Sequence, residues 1–161
     1  ELHYELEVVV QIGNHIPLGS QVQNWNDISA VALGLDLTRR EKQKSLKSRG
    51  LPWTLSKSFM GSGVVSPFIP LQDIKSECSN HSNLEFNLEV NGKIKQTGIV
   101  KEMIFPVPHL MTFLASYQPL EPGDLIFTGT PKGVGPMSAG DAFKMSWTGG
   151  GLEGIDYKGY L

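Results

Sequence analysis

The stretch from Leu33 to Gln43 constrains the fold more than any other part of the chain. It begins as an apolar run, carries Asp36 where that run ends, and then changes to a helical pattern. A lone carboxylate between two leucines is costly unless a positive charge lies beside it. The sequence therefore predicts a buried strand over 31–37, followed by a helix, with a compensating positive charge next to Asp36.

The composition is that of an ordinary globular protein. The 161 residues suffice for one domain with a sizeable core, and 40% hydrophobic and 19% charged residues are typical values. A net charge of −2 without a basic block favours neither a nucleic-acid nor a membrane partner. No apolar run is long enough to span a bilayer. The single cysteine, Cys78, fits a reducing compartment, so we expect a cytoplasmic protein, or a mitochondrial one in a eukaryote.

Most of the chain is predicted to form strands connected by turns. Residues 84–90 alternate between apolar and polar and meet Asn91-Gly92, the strongest short signal for a hairpin, with 93–96 as the return strand. Residues 72–83 are polar and loop-like. Further strands are expected over 3–12, 31–37, 64–70, 125–128 and 143–147.

Strands outnumber helices and no linker divides the chain, so the sequence predicts one strand-dominated α+β domain over 1–161. The expected helices are a short one capped by Asn26-Asp27 through Ala30, one from the capping box of Thr38 and Glu41 to Gly50, and one over Pro108–Ser116 that buries Leu110, Phe113 and Leu114.

Three carboxylates form the first candidate site. Side chains alternate across a strand, so Glu5 and Glu7 share one strand face with His3. Two such glutamates alone usually mark a solvated face. Asp36 adds a third carboxylate that needs compensating charge, and three carboxylates suit a hard divalent ion such as Mg²⁺, Mn²⁺ or Ca²⁺. Zinc is disfavoured by the single cysteine, Cys78, and the absence of paired histidines.

Two further groups of polar residues can carry chemistry. Arg40 and Gln43 lie three apart on one helix face, where the arginine fork suits a substrate carboxylate and the amide suits a neighbouring carbonyl. By sequence alone, a solvated helix face is the commoner explanation. Lys57 lies beside aromatic residues, and a lysine in an apolar wall can have a lowered pKa and exchange protons with a substrate. The alternative is an ordinary surface lysine.

The glycine-rich run over 129–135 follows a predicted strand. It lacks the Gly-Lys-Ser/Thr ending of a phosphate-binding loop, and the residues after it do not start a helix. A glycine-rich turn can still approach a ligand closely, with the Thr130 hydroxyl or backbone N–H groups as donors. No cysteine–histidine pattern or nucleophile elbow supports covalent catalysis.

Taken together, these residues resemble the fumarylacetoacetate hydrolase family, and within it the small single-domain acylpyruvate hydrolases and oxaloacetate decarboxylases or tautomerases. The similar pieces occur in order along nearly the whole chain. They are HYELE at 3–7, LDLTRR at 35–40 with Gln43, GLPWTLSKSF at 50–59, VNG at 90–92, MIF at 103–105, PGD at 122–124 and GTPKGVG at 129–135.

The resemblance implies that Glu5, Glu7 and Asp36 bind Mg²⁺ or Mn²⁺, with Ca²⁺ as a substitute in a crystal. It also implies that Arg40 and Gln43 face the carboxylate and oxo groups of a substrate, that Lys57 is the catalytic lysine and that Thr130 lines the pocket. The implied fold is a β-rich roll of mixed sheets with a few short helices, in a homodimer.

Two departures from the family pattern bear on function. Relatives carry a segment upstream of the Glu-x-Glu strand, which in acylpyruvate hydrolases holds a His/Glu pair that activates water. We expect that segment to be absent from this chain. In addition, Met60 stands where many relatives have aspartate.

The implied chemistry is C–C bond cleavage or tautomerisation of a small 2-oxo acid through a metal-stabilised enolate. Oxaloacetate decarboxylation or tautomerisation needs only proton transfer by Lys57, whereas acylpyruvate hydrolysis also needs a base that activates water. With the upstream pair absent, the first two reactions are chemically easier. Two alternatives stay open: an isomerase or hydrolase of an aromatic-catabolism intermediate, and a non-catalytic protein that binds a metal and a carboxylate.

Overall fold

The computed structural model describes residues 1–74 and 81–161, so Cys78 and half of the predicted polar loop at 72–83 lie outside the described residues. Within those ranges strands dominate, and the predicted α+β class is confirmed. The strands are β1 Leu2–Tyr4, β2 Leu6–Ile12, β3 Ile28–Asp36, β4 Thr38–Arg39, β5 Gly63–Val65, β6 Ile69–Pro70, β7 Glu85–Val90, β8 Lys93–Ile99, β9 Leu125–Phe127, β10 Gly135–Met137, β11 Ala142–Gly149 and β12 Asp156–Tyr160. The helices are α1 Arg40–Ser48 and α2 Val107–Ala115.

The described strands form three sheets. One has the order β5-β3-β2-β9, with β6 also paired to β3; the second is β12-β11-β7-β8, and the third is β10-β1-β4. Each pairing among these strands is antiparallel, where the resemblance had implied mixed sheets. A single cluster of buried apolar side chains draws on β2, β3, β7, β11 and α2, so the sheets share one core.

The strand predicted over 3–12 is interrupted at Glu5. Residues before it pair with β10 and β4 in the small sheet, whereas residues after it pair with β3 and β9 in the larger sheet. The predicted alternation is confirmed in β2, where Leu6, Val8 and Val10 enter the core cluster. Glu5 therefore lies where the chain passes from one sheet to another.

The strand predicted over 31–37 begins earlier, at Ile28, so the short helix capped by Asn26-Asp27 through Ala30 was a wrong prediction. Ile28 and Ala30 are buried and pair across to β2. The gain from burying these side chains outweighs the local capping preference.

Helix α1 is confirmed, but the capping box is not. Thr38 lies in β4 and its hydroxyl donates to the carbonyl oxygen of Asp36 over 3.2 Å, so it does not cap the helix. The helix starts at Arg40 without a side-chain cap and ends at Ser48. Gly50, predicted as its last residue, lies beyond the helix with a φ of +64°.

Helix α2 is also confirmed, but its buried stripe is rotated from the predicted one. Val107, Met111 and Ala115, spaced by four, are buried, whereas Phe113 is 54% exposed. Leu114 packs at the margin of the core. Neither α1 nor α2, the helices of the described ranges, is long and apolar enough to cross a membrane.

The hairpin at Asn91-Gly92 is confirmed, with φ values of +50° and +74°. Its return strand, β8, extends to Ile99 and contains a bulge, because Leu88 pairs with Gln96 while Glu89 pairs with Ile94. Lys95 is the extra residue, and a bulge of this kind changes the direction of neighbouring side chains.

The glycine-rich loop that follows β9 packs against this bulge. A Cβ atom added to Gly133 would lie 2.4 Å from the carbonyl oxygen of Lys95 and 3.3 Å from Cγ of Gln96. The φ of Gly133 is +103°. Only glycine satisfies both conditions, so this contact fixes the loop on β8.

We expect Gly133→Ala to destabilise the protein by about 3 kcal/mol, because it adds a backbone clash to the strain of a positive φ. Gly140→Ala is the matched control, since Gly140 has a φ of +89° but nothing within 4 Å of the position that an added methyl group would take. Gly140→Ala should lower the free energy of unfolding by about 1 kcal/mol. Free energies of unfolding in urea measure both; equal losses would contradict a tightly packed loop.

Candidate active site

Three carboxylates meet at one end of the β2–β3 pair. Glu5 and Glu7 flank the first residue of β2, and Asp36 is the last residue of β3. The two chain segments are joined there by a hydrogen bond of 2.9 Å from the Asp36 N–H to the Glu5 carbonyl oxygen. One carboxylate oxygen from each residue lies within 4.8 Å of the others. Antiparallel pairing thus brings together residues that are 29 to 31 positions apart.

Two cations compensate part of this charge. The Nζ atom of Lys57 lies 2.6 Å from Oε2 of Glu5 and 2.5 Å from Oδ2 of Asp36. Nη2 of Arg40 lies 2.5 Å from Oε1 of Glu5. The positive charge expected beside Asp36 is therefore the Lys57 ammonium group, supplied by the chain just after a 3-10 turn at Thr54–Ser56.

Arg40 and Gln43 occupy the first turn of α1, as their spacing predicted. Nη1 of Arg40 donates to Oε1 of Gln43 over 2.7 Å. Gln43 is only 6% exposed, and the Arg40 side chain is 17% exposed. This face of α1 is turned toward the carboxylates, so the alternative of a solvated helix face does not hold for these two residues.

The environments of Glu5 and Lys57 hold both groups in their charged forms. Burial alone would raise the pKa of Glu5, but hydrogen bonds from Lys57 and Arg40 outweigh it and lower the pKa. Burial would likewise lower the pKa of Lys57, but hydrogen bonds to Asp36 and Glu5 outweigh it and raise the pKa. This direction is opposite to the lowered pKa expected for a lysine in an apolar wall, because carboxylates rather than apolar side chains contact the ammonium group.

The Glu7 side chain has a different electrostatic environment. Its side chain is buried, and burial raises its pKa to about 7, with the negative charges of Asp36 and Glu5 adding to the shift. An N–H from Gly129, 2.7 Å from Oε2 of Glu7, opposes this shift only in part. Among the described residues, Glu7 therefore has no hydrogen bond or ion pair with a cationic side chain, whereas Glu5 and Asp36 do.

Thr130 lies near the cluster on the loop after β9. That loop runs beside β2: the Thr128 hydroxyl donates to the Val8 carbonyl oxygen over 2.9 Å, and the next residue, Gly129, donates to Glu7. One backbone N–H of this loop therefore donates to a carboxylate of the protein itself, and the donation to a ligand stays a prediction. The Thr130 hydroxyl accepts a hydrogen bond from Gln96 and, among the described residues, makes none to the carboxylates.

Gln96 is the residue of this region that the sequence did not reveal. It is 2% exposed; its Oε1 accepts from the Leu6 N–H over 2.9 Å, and its Nε2 donates to Oγ1 of Thr130 over 2.8 Å and to the Pro131 carbonyl oxygen over 2.9 Å. These partners are 34 to 90 positions away in sequence. No local pattern could therefore have marked it.

An open pocket of about 530 Å³ borders the Thr130 loop. Its wall is mostly apolar, and the volume suits a small organic ligand. The lining includes Phe86, Met103, Phe105, Leu110 and Thr130.

Two other residues singled out in the sequence lie apart from the cluster contacts. His3 is on β1, and its Nε2 lies 3.5 Å from a carboxylate oxygen of Glu1. The Met60 side chain is fully exposed. Within residues 1–74 and 81–161, neither side chain forms a hydrogen bond or ion pair with the three carboxylates.

The chain belongs to the fumarylacetoacetate hydrolase family. The family model described as fumarylacetoacetate (FAA) hydrolase C-terminal matches residues 1–154. The family resemblance inferred from the sequence is therefore confirmed over most of the chain.

Two named relatives are similar to the chain over most of its length. The chain is 39% identical to the mitochondrial oxaloacetate tautomerase of Bos taurus, covering 96% of this chain and 66% of the relative. It is 41% identical to the mitochondrial oxaloacetate decarboxylase of Dictyostelium discoideum, covering 92% and 66%. The chain thus spans just under two thirds of the length of these relatives.

A solved structure gives a further comparison. Fumarylpyruvate hydrolase from Pseudomonas aeruginosa, in complex with Mn²⁺ and pyruvate, is 30% identical and superposes with a TM-score of 0.85. The likeness covers 98% of this chain and 64% of that one.

We expect Lys57→Met to destabilise the metal-free protein by about 1–3 kcal/mol at pH 7, because Glu5 and Asp36 lose their shared cation. The lowered pKa of Glu5 contributes stability above its ordinary value of 4.5, and this contribution is lost as the pH falls below that value. The difference in the free energy of unfolding between Lys57→Met and the wild type should therefore become smaller in acid.

Lys144→Met is the control for this experiment, because Lys144 pairs with Glu89 over 3.3 Å at a more exposed site. Lys144→Met should lower the free energy of unfolding by less than about 0.5 kcal/mol at any pH. Urea unfolding in the presence of a chelator, from about pH 2.5 to pH 8, provides the comparison. A Lys57 variant that behaves like the Lys144 variant would show that the cluster does not depend on its lysine.

Proposed function

We propose that this chain carries the active site of a Mg²⁺- or Mn²⁺-dependent enzyme that converts small 2-oxo acids through an enolate. The observation that carries the proposal is the meeting of Glu5, Glu7 and Asp36 beside Arg40 and Lys57. The names of the relatives, oxaloacetate tautomerase and oxaloacetate decarboxylase, and the neighbour bound to Mn²⁺ and pyruvate support it.

The donor set fits a hard divalent cation. Mg²⁺ and Mn²⁺ prefer carboxylate oxygens as ligands, at about 2.1 Å. The three carboxylates present oxygens within 4.8 Å of one another, so Glu5, Glu7 and Asp36 are the residues that would hold such an ion. Within residues 1–74 and 81–161, Glu7 is the member without an ion pair to a cationic side chain, so added positive charge would stabilise its ionised form. Ca²⁺, which accepts longer bonds, would also fit these oxygens.

Each remaining residue has a role that its position supports. Arg40 presents its guanidinium fork next to Gln43, so the two can hold the carboxylate and the oxo group of a 2-oxo acid. Lys57 carries a proton beside Glu5 and Asp36 and can deliver it to the carbon next to the oxo group. Thr130 lines the neighbouring pocket. A divalent cation bound by the carboxylates would supply the positive charge that stabilises an enolate.

Oxaloacetate is the substrate we favour, through tautomerisation or decarboxylation. Tautomerisation moves one proton between carbon and oxygen, and decarboxylation breaks one C–C bond before the same carbon is protonated. We assign the proton transfer in either step to Lys57. Hydrolysis of an acylpyruvate, or of an aromatic-catabolism intermediate, additionally requires a base for water.

The proposal extends to the whole protein in three respects. Residues 1–161 act as one catalytic domain, the protein is a homodimer, and it works in the cytoplasm or, in a eukaryote, in mitochondria. Exposed apolar side chains, including Ile104 at 90% and Tyr117 at 73% exposure, support a partner surface. The mitochondrial names of the relatives support the compartment.

The test is turnover of oxaloacetate and acetylpyruvate with Mg²⁺ or Mn²⁺, against a chelator and a metal-only blank. We expect metal-dependent turnover that Glu5→Gln lowers by at least about 100-fold, since it removes a ligand and the partner of Arg40 and Lys57. Glu89→Gln, a change of the same kind on β7, should behave as wild type.

Two outcomes would contradict the proposed enzymatic function. Turnover that Glu5→Gln leaves unchanged would place the chemistry elsewhere. Binding of pyruvate or oxalate with Mn²⁺ but no turnover of either substrate would identify the chain as a non-catalytic binding protein.

A further inference from the structure

The amide of Gln96 connects two sheets at the candidate active site. It belongs to β8, at one edge of the β12-β11-β7-β8 sheet, yet it bonds to the first residue of β2 in the other large sheet. It also bonds to the loop that carries Thr130. Three hydrogen bonds between 2.8 and 2.9 Å use both amide hydrogens and the amide oxygen. A buried amide with this many partners holds both segments in one arrangement.

Gln96 takes the place of a main-chain pairing between β2 and the segment after β9. Val9, Val10 and Gln11 pair with β9, and Thr128 then bonds to the Val8 carbonyl oxygen. Leu6 lies two residues before Val8, so its N–H points to the same side of β2. The departing loop no longer reaches that N–H, and Oε1 of Gln96 accepts its hydrogen bond.

The partners of Gln96 fix the orientation of its amide. The Leu6 N–H can only donate and the Pro131 carbonyl can only accept, so Oε1 must face Leu6 and Nε2 must face the loop. Nε2 therefore donates to Oγ1 of Thr130. The Thr130 hydroxyl is an acceptor toward Gln96, and its own hydrogen remains to be donated elsewhere.

Among the described residues, the Thr130 side chain makes one hydrogen bond, in which its oxygen accepts from Gln96. Its hydroxyl hydrogen therefore has no protein acceptor there. Thr130 is half-buried and lines the pocket of about 530 Å³. Its neighbour Gly129 contacts the Glu7 carboxylate. The donor therefore belongs to a loop that contacts Glu7, and it lines a pocket that a small ligand can reach.

We propose that Gln96 is a positioning residue: by donating to Thr130, it makes the threonine hydroxyl a hydrogen-bond donor to an anionic oxygen of the substrate, which rests on the proposed function. The bulge at Lys95 directs Gln96 inward, and Gly133 packs the loop against that bulge. Both features keep Thr130 within reach of the amide. The ligand chemistry is that of a carboxylate or enolate oxygen, which accepts hydrogen bonds and donates none.

A double-mutant cycle tests this role, with pyruvate as the probe ligand and calorimetry in saturating Mn²⁺ as the measurement. In Gln96→Glu, the new carboxylate can only accept, so the Thr130 hydroxyl turns to donate to it and is lost to the ligand. We expect pyruvate to bind about tenfold more weakly to Gln96→Glu, and equally so to Thr130→Val. Thr130→Ser, which keeps the hydroxyl, should restore binding.

The combination of the two changes gives the decisive result. If Gln96 acts through the Thr130 hydroxyl, Gln96→Glu will not weaken pyruvate binding further in a Thr130→Val background. If the losses of pyruvate affinity in Gln96→Glu and Thr130→Val add in the double variant, the proposal is overturned, because additive losses would show a general charge or packing effect. Gln11→Glu, the same substitution at the far end of β2, is the control and should leave pyruvate binding unchanged.

Gln96→Asn provides a neutral second variant in case the glutamate prevents folding. Its side chain is one methylene shorter and cannot reach Leu6 and Thr130 together, so it should also weaken pyruvate binding about tenfold. Binding of Mn²⁺ alone should stay within about twofold of wild type in every variant. Wild-type protein that binds no pyruvate in Mn²⁺ would refute the proposed function itself, whereas wild-type binding retained by both Gln96 variants would refute only the role of Gln96.

Discussion

The compensation of three clustered carboxylates is the interaction on which the candidate site depends. Antiparallel pairing of β2 and β3 places Glu5, Glu7 and Asp36 together, and a buried cluster of like charges is unstable without cations. Lys57 and Arg40 reach the cluster from the turn after α1 and from its first turn. The positions of these segments are thus tied to the charge at the strand ends.

The same electrostatics link structure to the proposed chemistry. Hydrogen bonds from Lys57 and Arg40 lower the pKa of Glu5. Burial and the charges of Asp36 and Glu5 raise the pKa of Glu7 to about 7, and the Gly129 N–H and the charge of Lys57 offset that rise only in part. A site of this kind gains from one more positive charge. A divalent cation would provide it, and the positive side chains around the cluster would then be available to an anionic substrate.

The sequence predicted the parts of the site whose partners are close in sequence or set by strand alternation. Glu5 and Glu7 follow from the period of a strand, and Arg40 and Gln43 from the period of a helix. Asp36 was marked by its apolar neighbours. The strand-dominated class and the Asn91-Gly92 hairpin follow from equally local rules.

What the sequence could not predict depends on contacts between distant segments. Gln96 acquires its role from partners up to 90 positions away. Tertiary packing also set the rotation of α2 and replaced the expected helix near Asn26 by the start of β3. The short strands β10 and β12 carry no strong periodic signal. The partner of β10 is β1, at the other end of the chain, and β12 is separated from its partner β11 by a glycine-rich turn.

The position of a bound cation relative to Lys57 tests the central claim most directly. Anomalous scattering at the manganese edge, from crystals of this protein soaked in Mn²⁺, would locate the ion. We predict a peak bounded by carboxylate oxygens of Glu5, Glu7 and Asp36, with Nζ of Lys57 displaced from at least one of its two carboxylate partners. Crystals that bind no Mn²⁺ there, with Lys57 still bonded to both Glu5 and Asp36, would contradict it.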